Sequence, residues 1–160
     1  MTTTTPHSQD AAVPRGVWIL AGSGLLPFVV CLALLATTPA YAARAVHAFI
    51  VYAALTLSFL GGARWGAELV RAPQAPSIGR LIASALPSCV GLLALLPYLT
   101  NTQSLALLML CGIAQLLWDR SASHDGQLPR WNAAVRTVMT VCGTVCSLIM
   151  LLLAPAGAPV

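Results

Sequence analysis

Arg64 and Glu68 stand four residues apart at the end of an apolar run, "SFLGGARWGAEL", residues 58–69. On a helix that spacing sets them one turn apart on one face. Paired ions in such a place could tie one helix to another, bind an ion, or act as acid and base on a polar group at a membrane surface. The same residue types close a later apolar run, "QLLWDR" at 115–120, and open the last one, "LPRWNAAVR" at 128–136. Arg64, Trp65, Glu68, Trp118, Asp119, Arg120, Arg130 and Trp131 therefore form a candidate functional cluster, with Gln115 and Arg136 beside it. Alternating arginine, tryptophan and acid could make a closed ionic and cation–π network. It could equally make three separate anchors at a membrane interface, where arginine snorkels and tryptophan joins the aromatic belt. No catalytic residue is assigned, because nothing in the spacing fixes the distance between the two acids Glu68 and Asp119.

Other chemistry is thin. The chain has no Walker loop, no HExxH and no GxSxG, and "GSG" at 22–24 lies inside an apolar run. Cys31, Cys89, Cys111, Cys142 and Cys146 all fall in apolar runs and lack the spacing of a zinc site. Cys142 and Cys146 share a helix face, which reads as packing rather than metal binding. His7 and His124 lie in polar segments, and His47 lies near the end of an apolar run. No metal and no cofactor are expected.

These residues need elements to position them, and composition dictates which. The chain is 160 residues long, 58% hydrophobic and only 8% charged, with mean hydropathy +0.84. Water-soluble domains carry about 25% charged residues. Apolar stretches of about 20 residues match a hydrocarbon core about 30 Å thick. The expected fold is all-α, a polytopic membrane helix bundle with five transmembrane helices. The spans fall at about 16–37, 45–66, 78–99, 104–118 and 135–154. The fourth is short unless the preceding "LTNTQ" adds a turn. Residues 1–15 read as a disordered cytoplasmic tail and 155–160 as a short second tail. Ala40-Tyr41-Ala42 has the look of a signal-peptidase site, and a cleaved first span would leave four helices. The run before it is longer than a secretory core, which favours a retained helix. Pro27 should bend the first span and Pro87 the third.

Every cation is arginine: Arg15, Arg44, Arg64, Arg71, Arg80, Arg120, Arg130 and Arg136. They are scattered between apolar runs, so nucleic acid is not the expected partner. With five spans, all but Arg44 fall on the side of the N-terminus. The positive-inside rule then sets the N-terminus in the cytoplasm and the C-terminus in the periplasm of a bacterial inner membrane. The arginine-only, alanine-rich composition suggests a bacterial source.

In the second span Ala54, Ser58, Gly62 and Gly66 recur every fourth residue and end in GxxxG. Such a ridge lets helix backbones approach in lipid, where no hydrophobic effect drives helices together. It is the expected helix-packing ridge. A seam with a second copy and a contact within the chain look the same in sequence.

The segments "AGSGLLPF" (21–28), "SFLGGARWG" (58–66), "LPSCVGLLALL" (86–96), "QLLWDR" (115–120) and "LPRWNAAVR" (128–136) together resemble the domain of unknown function 3429 family, of transmembrane protein 69-like chains. The likeness covers nearly all of the chain after residue 15, in order. It implies that the first span is kept, since "GLLPF" lies within the family's domain, and it implies no catalytic residue. Arg64, Trp65, Trp118, Asp119 and Arg120 match its motif positions.

Three functions remain open. The preferred one is a non-enzymatic packing, assembly or accessory membrane protein with a cytoplasmic-rim arginine, tryptophan and acid cluster. Its partners are the lipid bilayer and either further copies or another membrane protein. The second is a small oligomeric transporter or channel, with Arg64 or Glu68 meeting an ion and helices broken at Pro27 and Pro87. The third is a membrane enzyme acting on a lipid headgroup through Glu68 and Asp119.

Overall fold

The computed structural model describes residues 14–124 and 130–154. Helix α1 spans Arg15–Ser23, α2 Leu26–Thr37, α3 Ala42–Arg71, α4 Ile78–Ala94, α5 Asn101–His124 and α6 Arg130–Leu153, with a short 3-10 turn at Pro39–Tyr41. The fold is an all-α membrane helix bundle. Among the described residues four segments are long and apolar enough to cross a bilayer: Arg15–Thr37, Pro39–Arg71, Asn101–Ser121 and Trp131–Leu153. Ile78–Ala94 is a shorter apolar helix of 17 residues, at the lower end of a spanning length of about 17–25. Of the two expected tails, 1–15 and 155–160, only residues 14 and 15 are described; 1–13 and 155–160 lie outside the described residues.

The first span is broken rather than bent. α1 stops at Ser23 and α2 restarts at Leu26, with Pro27 in its opening turn. Proline has no N–H for the carbonyl four residues back and collides with it, so the break falls before the proline, at Gly24-Leu25. The Gly24 carbonyl accepts a hydrogen bond from the Tyr52 hydroxyl of α3 at 2.8 Å. Phe28 of α2 meets Phe49 and Tyr52 of α3 edge-on, with ring centroids 4.8 and 4.9 Å apart. These contacts hold the first span in the bundle, whose core is Phe28, Val46, Phe49, Ile50, Leu105 and Met150.

α4 ends earlier than the expected span of 78–99. Pro97 disfavours helix in the residue before it, and the chain turns from Leu95 onward. Pro87 is accommodated inside α4. α5 starts earlier than 104, because Thr100 and Gln103 cap it reciprocally. The Thr100 N–H donates to Gln103 Oε1 at 2.9 Å, and the Gln103 N–H donates to Thr100 Oγ1 at 3.3 Å, a capping box in "TNTQ". Ser104 then ties α5 to the end of α4 by donating to the Ala94 carbonyl at 2.7 Å.

α3 packs on α4 at Ala54 and Gly61. A Cβ added to Gly61 would collide with the Ser84 carbonyl oxygen, and one on Gly91 of α4 would meet the Ala54 carbonyl at 3.1 Å. Of the ridge expected every fourth residue, Ala54 lies in this seam, Ser58 is half-buried, and Gly62 and Gly66 are exposed with nothing within 4 Å of an added Cβ. Helix geometry explains the difference. Four residues turn a helix about 400°, so a step of four drifts about 40° each time. A seam that stays put must alternate steps of three and four, as 54, 57, 61, 64, 68 and 71 do. Gly62 and Gly66 have rotated onto the opposite side of α3.

Candidate functional site

The alternating seam carries Arg64 and Glu68 of α3 toward the neighbouring helices, where each finds partners, while Arg71 closes onto Glu68 from the same helix. Arg64 and Glu68 are not each other's ion-pair partner. They belong to two separate clusters, each a carboxylate bracketed by two arginines.

The deeper cluster is centred on Asp119 of α5, whose side chain is 3% exposed. Arg136 of α6 donates from Nε to Oδ2 at 2.6 Å, and its Nη2 lies 2.5 Å from the same oxygen. Arg64 approaches the other oxygen, Oδ1, with Nε at 3.1 Å. That N–H is not aimed at the oxygen, so the attraction is electrostatic rather than a directed hydrogen bond. The Arg64 guanidinium lies over the Trp118 ring, with Cζ 4.3 Å from its centre, a cation–π contact that offsets part of its desolvation. Three helices, α3, α5 and α6, meet on this one carboxylate. Removing water from the charges costs energy that only close pairing returns.

The outer cluster is centred on Glu68. Arg71, one turn on, forks onto it: Nε donates to Oε2 at 2.8 Å and Nη2 to Oε1 at 2.6 Å. The Ser77 backbone N–H, at the entry of α4, donates to Oε1 at 2.8 Å. Arg80 of α4 brings Nη1 to 3.6 Å from Oε2. Glu68 is covered by these partners, while Arg71 and Arg80 are 39% and 40% exposed. One carboxylate thus closes the α3–α4 corner and supplies the cap that Ser77 does not provide with its own side chain.

The structure brings together Arg64, Trp118 and Asp119 from the predicted set and joins Arg136 to them. It joins Glu68 to Arg71 and Arg80, which the sequence reading counted only as topology signals. The signal was there, since Arg71 follows Glu68 by three residues, but Arg80 reaches Glu68 only once α4 folds back. Trp65 and Arg120 are exposed and Trp131 is half-buried. The side chain of Arg130 lies outside the described residues. Gln115, one turn inward of Asp119, is buried, and neither its Oε1 nor its Nε2 has a hydrogen-bond partner.

The heights of these groups follow from the helix rise. Arg44 and Arg64 bracket a length of α3 of about 30 Å at about 1.5 Å per residue, the thickness of a hydrocarbon core. Arg44 lies against Tyr41 at the other end, with Cζ 5.8 Å from the ring centre. The Asp119 cluster therefore sits at one edge of the apolar slab, and the Glu68 cluster one to two turns beyond it.

This pattern is borne by a chain that matches, over residues 13–153, the family described as Protein of unknown function (DUF3429). The chain belongs to that family. This DUF3429 chain is 33% identical over 130 residues to Transmembrane protein 69 of Xenopus tropicalis, an alignment covering 80% of this chain and 50% of that protein. The chain spans about half the length of this curated relative. No solved structure matches. The DUF3429 chain is an integral membrane protein.

Proposed function

We propose that this DUF3429 protein is a non-catalytic assembly or accessory protein of a bacterial inner membrane. It is anchored by its arginine-rich end on the cytoplasmic side, and it offers one face of α3 to a second transmembrane helix. The observation that carries this reading is the open pair Gly62 and Gly66. They lie away from the seam used within the chain, and an added Cβ on either meets nothing within 4 Å. Small residues at that spacing are what close helix contact in lipid requires. The cluster supports the same reading. Among the described residues the acids are Glu68 and Asp119, and both are consumed in cross-helix ion pairs that fix α3, α4, α5 and α6. Such clamps suit a rigid frame better than a proton-shuttling pair for a lipid-headgroup reaction. The distribution of arginines supports the cytoplasmic placement of that end, with the N-terminus inside and the C-terminus in the periplasm.

The test is the mass of the detergent-solubilised complex, another chain or further copies included, for wild type and for Gly62→Ile with Gly66→Ile. The substitutions face open space, so the isolated chain should fold as before while the complex shrinks. An unchanged complex would reject this face as the contact.

A second reading, a small oligomeric transporter or channel, is favoured by the unpartnered amide of Gln115 inside the bundle and by the break in the first span. Gln115→Leu separates the two. A frame should hold or gain stability when an unsatisfied buried amide is replaced by an apolar group, whereas ion flux through proteoliposomes should fall if Gln115 lines a path.

A further inference from the structure

One turn inward of Asp119 on α5, Gln115 is 4% exposed, and neither its Oε1 nor its Nε2 has a hydrogen-bond partner among the described residues. The Nε–H of Arg64 is also buried without a hydrogen-bond acceptor. Buried polar groups in this state are rare, and a bound water or ion is a common reason for them. The register of the helices sets the two groups near one another. A Cβ added to Gly112 of α5 would lie 3.8 Å from Leu57 Cδ2 of α3, and both helices run toward the charged end. About two turns on from that contact, Arg64 meets Asp119, Nε to Oδ1 at 3.1 Å. Gln115 lies between these levels, about 6 Å inward of Asp119 and about 40° around α5 from it. Gly112 lies on the same side of α5 and presents no side chain, and Leu57 Cδ2 is the one atom within 4 Å of the space a Cβ would take there.

Charge narrows what satisfies them. Arg136 forks onto Oδ2 of Asp119, and Arg64 shares the same carboxylate from Oδ1. Two guanidiniums on one carboxylate leave a positive charge in excess, among side chains only 10%, 3% and 13% exposed. Trp118 covers one face of the Arg64 guanidinium, with Cζ 4.3 Å from the ring centre, but a ring beneath the plane takes no N–H from its edge. A water accepts N–H groups and leaves the charge as it was. A small anion accepts them and balances the charge, and charge-assisted bonds in such a place are the strong ones. The shielding of all these side chains favours a free ion over the phosphate of a lipid.

We propose that the interior between α3 and α5 binds one small monovalent anion, of the size of chloride, between the Nε–H of Arg64 and the Nε2 amide of Gln115. With it the Asp119 cluster becomes neutral, two guanidiniums against a carboxylate and the anion. The site is independent of the Gly62–Gly66 face and needs no path across the membrane, so it stands or falls apart from either reading of the function.

The experiment uses the full chain, purified in detergent without added lipid, and reads the unfolding midpoint as chloride replaces gluconate at constant ionic strength. Gluconate is too large for the site, so the midpoint should rise with chloride and then saturate, as binding to the folded state alone requires. Bromide should act likewise. Gln115→Leu should weaken the apparent chloride affinity about tenfold or more, equivalent to about 1.4 kcal/mol, while in gluconate it matches or exceeds wild type. Gln115→Glu supplies a carboxylate in place of the anion, so its midpoint should hold and no longer respond to chloride. Arg44→Gln, at the opposite end, should respond as wild type does. Phosphatidylglycerol added in gluconate is the lipid arm and should not replace chloride. Should Gln115→Leu misfold, the wild-type titration and Gln115→Glu decide. A wild-type midpoint indifferent to chloride, as a bound water alone would give, overturns the proposal. So does an unchanged response in folded Gln115→Leu, a full response in Gln115→Glu, or phosphatidylglycerol acting in place of chloride.

Discussion

The Asp119 and Glu68 clusters use the same parts, one carboxylate and two arginines, at different depths, and depth changes what the parts do. Around Asp119 all three side chains are largely shielded, at 10%, 3% and 13% exposure. Around Glu68 only the carboxylate is shielded and both arginines reach outward. In the first case the ions have little but each other and Trp118, so loss of one member strands the rest in a low dielectric. In the second, water and headgroups can replace a lost partner. The deep cluster is therefore a structural lock across α3, α5 and α6. The outer cluster is a corner whose two arginines are partly exposed to the surroundings.

The sharpest way to break this comparison is to remove each carboxylate. Asp119→Ala should cost about 3–5 kcal/mol, the usual effect of leaving a buried charge unpaired, read as loss of monodisperse protein or a collapsed unfolding midpoint in detergent. Glu68→Gln should cost clearly less and keep the fold, and its effect should shrink further as salt is raised. Equal losses at the two sites would erase the distinction between lock and corner. The seam beside the lock is next in size. Gly61→Ala puts a methyl group against the Ser84 carbonyl and should cost about 1–3 kcal/mol through strain. Gly62→Ala, one residue on, should stay within about 0.5 kcal/mol. Trp118→Leu should cost about 1 kcal/mol by removing the ring beneath Arg64. Tyr52→Phe, which frees the Gly24 carbonyl at the break in the first span, should cost about the same. Both of these small effects are read from unfolding midpoints in one detergent.

Some of this could be read before any coordinates. Arg64, Trp118 and Asp119 were visible as a rim set because residue type and position along an apolar run say at what depth a side chain lies. A disturbance at Pro27 is expected from the sequence as a bend, and a turn added by "LTNTQ" is left open; the break and the capping box at 100–103 are both local chemistry of adjacent residues. What could not be read was azimuth. Ala54, Ser58, Gly62 and Gly66 look like a ridge in one dimension, but a drift of about 40° per step carries the last two off the seam. Pairing was equally hidden. Arg64 and Glu68 are neighbours on α3, yet each ion-pairs elsewhere because Asp119, Arg136 and Arg80 arrive from helices that sequence distance does not order.

The residue string alone thus settled that this is a membrane helix bundle and which end holds its charge. Hydrocarbon thickness limits where an apolar run may stop, and that limit acts along one chain at a time. Only the tertiary structure decided that Gly61, not Gly62, meets α4, and that six ions divide into two clusters. Those outcomes depend on how neighbouring helices are rotated and staggered, and contact geometry between helices is not encoded in the spacing within any one of them.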